Sequence, residues 1–139
     1  MEDLNKYIEK PRDSLSIIRN ETQNIIDKKE EYLHLDEVKM LTTTELEDNK
    51  IMTNTYQEIV SRNNLVIDFI IDIKNEIFRI KLMKDKIDRN SELGRNQIVQ
   101  LDYFISLLQQ ILDMMSDERN KLDRVVRYYE KTFSYYKDF

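Results

Sequence analysis

The stretch DRNSELGRNQ, residues 88–97, decides how this chain folds, because it separates two long apolar repeats and holds the only glycine of the 139 residues. Glycine adopts the left-handed conformation that ends a helix without steric penalty, so Gly94 predicts a reversal of the chain. If the chain does not reverse, the heptad phase runs on from Ile87 through Ser91 and Gly94 to Ile98. The two readings are a helical hairpin and a long parallel coiled-coil dimer.

Downstream of the break, Ile98, Leu101, Ile105, Leu108, Leu112, Met115, Arg119, Leu122, Val126, Tyr129, Phe133 and Tyr136 recur at alternating steps of three and four. Such spacing lines one face of an α-helix and marks the seam of a coiled coil or bundle helix. Upstream, Met52, Tyr56, Ile59, Asn63, Val66, Ile70, Ile73, Ile77, Ile80, Lys84 and Ile87 do the same. In a hairpin, residues that lie level have numbers of constant sum. Setting Ile87 against Ile98 gives 185 and pairs Ile80 with Ile105, Ile73 with Leu112, Ile59 with Val126 and Tyr56 with Tyr129. The turn this implies falls between Glu92 and Leu93, inside the glycine-bearing stretch, and that agreement favours the hairpin.

A second stripe runs beside each seam. Val60, Ile67, Ile71, Phe78 and Leu82 lie off the first, and Phe104, Leu107, Ile111, Met114 and Val125 off the second. Each large apolar side chain gains about 1.5 to 3 kcal/mol on burial, so these residues call for a third element to cover them. The N-terminal segment has the matching pattern in Leu15, Ile18, Ile25, Ile26, Tyr32 and Leu33, with Leu4, Tyr7 and Ile8 before Pro11. Proline has no N–H to donate, so a helix starts or kinks at Pro11. Thr44 and Glu47 have the spacing of a capping box, which places the end of this segment near Leu41 and the next helix start near Glu45. Helices over residues 2–41, 45–88 and 97–137 follow, each about 60 Å long at 1.5 Å per residue. The expected fold is all-α: a single domain, residues 1–139, formed as an elongated antiparallel three-helix bundle with coiled-coil packing, in which Leu15 lies level with Ile71.

Composition supports this reading and narrows function. Charged residues are 35% of the chain, against roughly 25% in ordinary domains, and proline also occurs once, so turn formers are scarce and a few long helices are expected. Cysteine is absent, which removes thiol chemistry and suits a reducing compartment. No apolar run reaches the roughly 18 to 20 residues of a membrane span, and the expectation is a soluble intracellular protein, cytoplasmic or nuclear. The single histidine, His34, stands three residues after Glu31. Helical di-iron sites use that spacing but need two copies and two further glutamates, so a site of that kind within one chain is excluded. Asp68, Asp72 and Glu76 recur every four residues beside basic residues, as on a solvated helix face. With no glycine-rich phosphate loop and no nucleophile–base constellation, the chain reads as a non-enzyme without cofactor or metal.

What remains is interaction. The leading expectation is a scaffold subunit that binds protein partners, by self-association or in a hetero-oligomer, through apolar side chains left over from the core. The candidates are Phe78, Leu82, Phe104 and Leu107 beside the break, and Tyr128, Tyr135 and Phe139 in the C-terminal helix. Asn63 and Arg119 interrupt the two seams close to one level, and polar residues in such positions fix register. They are expected to approach each other. The alternative is a nucleic-acid or anionic-membrane surface in residues 119–139, where six basic side chains outnumber three acidic ones among aromatics. A net charge of −5 and the absence of a strong single-sign patch disfavour nucleic acid.

Overall fold

The computed structural model describes residues 11–37 and 40–137, without the side chains of residues 11–14, 133 and 135–137. Its elements are α1 (Pro11–Tyr32), α2 (Thr43–Glu47), α3 (Asn49–Asp85) and α4 (Glu92–Lys137), with no strand among the described residues. The chain is all-helical, and its helices pack as in a bundle. The N-terminal residues Leu4, Tyr7 and Ile8 lie outside the described residues.

The helix boundaries depart from expectation for local reasons. α1 stops at Tyr32, not near Leu41, because His34 takes a left-handed backbone with φ of 67° and Glu37 N–H then closes a turn on the His34 carbonyl. The capping box is Thr42 with Glu45, three residues apart but two positions earlier than Thr44 and Glu47. Glu45 N–H donates to the Thr42 hydroxyl and Thr42 N–H to the Glu45 carboxylate, satisfying two donors of the first turn. The cap opens only the five-residue α2. Asp48 then accepts from the N–H groups of Lys50 and Ile51 and starts α3 afresh.

The second break is also differently built. α4 begins at Glu92, so Gly94 sits within its first turn and has no positive φ. Ser91 caps the helix by accepting from Gly94 N–H at 2.9 Å. Glycine is required there by proximity: a Cβ on Gly94 would stand 1.8 Å from the Asp88 carbonyl oxygen. The chain does reverse, since Lys84 Nζ pairs with Asp102 Oδ1 at 2.6 Å, a distance that a continuous helix between them could not give.

Two compact units divide the chain. Among the described residues, the first combines residues 11–31 with 71–113. Its buried side chains are Ile18, Thr22 and Ile25 of α1, Ile73, Glu76, Ile77, Ile80 and Met83 of α3, and Leu101, Phe104, Leu108 and Ile111 of α4. The second combines residues 32–37 and 40–70 with 114–137. There Met52, Ile59, Val126 and Tyr129 form a core cluster against which Leu41, Leu46, Tyr56, Val60 and Val125 pack, and Tyr32 stacks on Phe69 with ring centroids 4.2 Å apart. The Tyr56 hydroxyl donates to Glu130, and this hydrogen bond with the burial of Tyr56 raises the phenol pKa. Tyr56 with Glu130, and Lys84 with Asp102, are both pairs whose numbers add to 186, one residue from the expected register.

The N-terminal helix keeps a different register from the expected one. Glu21 of α1 meets Glu76 of α3, which carries Leu15 past Ile71 to the level of Leu82. The cause is the connection: α1 ends at Tyr32 and α3 begins only at Asn49, with the five-residue α2 between them, where only a short turn near Thr43 was expected.

Candidate interaction surface

Burial along α3 and α4 follows three parallel rows. The central row is fully buried: Met52, Ile59, Val66, Ile73 and Ile80 in α3, and Leu101, Leu108, Met115, Leu122 and Tyr129 in α4. In α3 both flanks are buried as well, Ile70 and Ile77 on one side, Phe69, Glu76 and Met83 on the other. In α4 the buried flank is Phe104, Ile111 and Glu118. The flank expected in the seam fares differently over its first part, with Ile105 and Leu112 half-buried and Arg119 exposed, but is buried at Val126, which packs with Ile59 as expected. Over residues 101–118 the α4 seam is thus turned by one residue.

Burial places five of the seven candidate surface residues. Phe104 is a core residue, buried like its neighbours Leu101 and Leu108, and is withdrawn from the surface candidates. Leu82 and Leu107 are half-buried. Phe78 projects from the opposite side of α3 to the fully buried Ile73 and Ile80 and is 61% exposed, and Ile71, two turns earlier on the same outer face, is also exposed. Tyr128 is exposed on α4 and makes a T-shaped ring contact with Tyr129, at a centroid distance of 5.2 Å. The Tyr135 side chain and Phe139 lie outside the described residues. Six further exposed apolar residues, Met40, Ile51, Leu65, Leu93, Val99 and Tyr103, escaped the pattern because they belong to neither stripe. Val99 and Tyr103 stand one turn apart on α4.

Asn63 and Arg119 do not form the expected pair. Arg119 is exposed, and the Asn63 side-chain oxygen is buried without a hydrogen-bond donor among the described residues. The buried polar place on α4 belongs to Glu118 instead. Glu76 likewise corrects the reading of a solvated acidic face. Asp68 and Asp72 are exposed, whereas Glu76 is 3% exposed. Its position was legible from the step of seven that joins Phe69, Glu76 and Met83, and Glu118 follows Phe104 and Ile111 in the same way.

Both carboxyl groups are perturbed. Burial pushes Glu76 up to about 8, the facing Glu21 carboxyl adds to the shift through a hydrogen bond and its charge, and Arg79 opposes it. Burial also raises Glu118, with Asp36 reinforcing and Lys121 opposing. A raised carboxyl suits general-acid work only where it faces a cleft, and these two face packed side chains.

Glu31 and His34 do not share a helix face, since α1 ends between them; His34 is exposed and its Nδ1 lies 3.1 Å from Glu37. No group of three or more metal-ligating side chains occurs among the described residues. On α4, Arg127 is engaged by Asp123 at 3.0 Å and Lys121 by Glu118 at 3.4 Å, so part of the basic charge of this helix is neutralised locally. No helix among the described residues is long and apolar enough to cross a membrane.

No protein-family model matches the chain, and no curated protein or solved structure matches it.

Proposed function

We propose that this protein is a non-catalytic interaction subunit: a three-helix bundle with coiled-coil packing, α1 lying on the α3–α4 hairpin, that joins a larger assembly through apolar side chains on its outer faces. The observation that carries the reading is Phe78, a large aromatic aimed away from the core, with Ile71 two turns away on the same face. Exposing such side chains forgoes about 1.5 to 3 kcal/mol each, which a partner surface recovers. The basic C-terminal helix supports a polyanion-binding reading less well, since two of its basic side chains, Lys121 and Arg127, are engaged by acids of the same helix.

The test is light scattering across protein concentration at two salt levels, with affinity purification from the native cell, on wild type and on a Phe78→Ser, Ile71→Ser double variant. Association that persists at high salt and is lost in the variant is expected. Binding that collapses with salt and survives the variant would instead identify a polyanion surface. A wild type that is monomeric at every concentration and retains no partner the variant loses would refute the proposal.

A further inference from the structure

The core carries two acids where apolar residues would serve, and both are arranged alike. Glu76 and Glu118 are 3% and 5% exposed. Each has one oxygen near a cation three residues on along its own helix: Glu76 Oε2 is 3.3 Å from Arg79, and Glu118 Oε1 is 3.4 Å from Lys121. The other oxygen, Glu76 Oε1 or Glu118 Oε2, is out of solvent and accepts from no protein N–H or cation among the described residues. What faces each acid from the neighbouring element is another acid, Glu21 of α1 for Glu76 and Asp36 of the α1–α2 connection for Glu118.

Two ionised carboxylates in contact and away from water repel strongly, and each is a pure acceptor, so neither can satisfy the other. One proton shared by the pair removes a charge and supplies the missing donor. We propose that Glu21 with Glu76, and Asp36 with Glu118, are proton-sharing latches that hold α1 and the segment after it on the α3–α4 hairpin, so that proton uptake sets how firmly this N-terminal arm is held.

The surrounding charges do not undo the arrangement. For Glu76 the groups that act are Glu21 from α1 and Arg79 from α3 itself, with none from α4 among the described residues; Arg79 lowers the pKa but is outweighed. For Glu118 they are Asp36 and Lys121, again with the cation outweighed. Arg62 of α3, the other cation at this connection, donates to the Leu35 and Glu37 carbonyls and to Glu58.

The sign is opposite to that of ordinary acid denaturation. A carboxyl whose pKa is higher folded than unfolded binds its proton more tightly in the native state. For Glu76 the stabilisation is complete below its ordinary value of 4.5 and is lost as pH rises through about 8. Glu118 acts in the same direction.

The experiment is urea unfolding of the full chain from pH 5 to 9 for wild type, Glu76→Gln, Glu118→Gln and the double variant, with a carboxyl-carbon NMR titration of wild type. Across the Glu76 window the wild-type folding constant falls by up to about tenfold per pH unit, the slope of one proton. Each glutamine variant flattens part of this dependence, and the double variant removes it. The NMR titration places the Glu76 midpoint well above the usual carboxylate range. A wild type whose stability does not fall with pH, or an unchanged slope in the double variant, overturns the proposal. Should the variants fail to fold, an ordinary carboxylate midpoint for Glu76 in wild type overturns it equally.

Discussion

Replacing Gly94 by alanine reverses a general rule. In an open helix that change gains about 1 kcal/mol, because alanine is the better helix former. Here the new Cβ would lie 1.8 Å from the Asp88 carbonyl oxygen and 2.7 Å from the Ser91 hydroxyl that caps α4. The carbonyl belongs to the backbone of the turn and cannot rotate away as a side chain could. Relief requires that the turn shift, at the roughly 1 to 3 kcal/mol of an overpacked site, and that the Ser91 hydroxyl also give way and release Gly94 N–H, at about 1 kcal/mol for a lost cap. After subtracting the helix-forming gain, the net is a destabilisation of about 1 to 3 kcal/mol. Urea unfolding followed by far-ultraviolet circular dichroism measures it, with Asn96→Ala as control, since Asn96 is exposed in the same helix. The control should be neutral or slightly stabilising. A Gly94→Ala variant as stable as wild type, with an unchanged m-value, would refute the argument that proximity demands glycine here.

Two further outcomes are expected. Thr42→Ala removes the observed capping box and should cost about 1 kcal/mol in thermal or urea unfolding, whereas Thr44→Ala, exposed and outside the box, should stay within about 0.5 kcal/mol; equal effects would contradict the placement of the cap. Phe104→Ala should lose about 3 to 5 kcal/mol as a core truncation, and Phe78→Ala about 0.5 kcal/mol or less. A reversed order in the same unfolding assay would mean that the assigned faces of α3 and α4 are wrong.

Much of the helical framework is legible without coordinates because it rests on local chemistry. The three-and-four spacing of apolar residues, the scarcity of proline and glycine, and the weak seam residues Ser91 and Gly94 all lead to long helices that reverse at residues 86–91. The register between α3 and α4 is legible to within a residue because a long stripe admits few alignments. Other features are less legible. The threonine run at residues 42–44 offers a capping box at Thr42 with Glu45 as well as at Thr44 with Glu47, and both have the right spacing. The end of α1 depends on one backbone angle at His34, a conformation that histidine enters more often than most residues but still only in a small minority of cases.

The candidate surface was partly legible for a related reason. A helix with an apolar central row and two apolar flanks can turn either flank inward, and the pattern of one helix does not say which neighbour covers it. Phe104 and Phe78 therefore look alike in sequence, though one is core and the other exposed.

By itself the sequence determined the class of fold, the long helices and the pairing of α3 with α4, because periodicity and helix-stop signals act within short stretches of chain. Only the tertiary structure decided which flank of α4 is buried, how far α1 slides along α3, and that Glu76 and Glu118 are removed from water. Those outcomes depend on where a second element comes to rest. A carboxyl group carries the same residue letter whether it meets solvent, a cation or another acid.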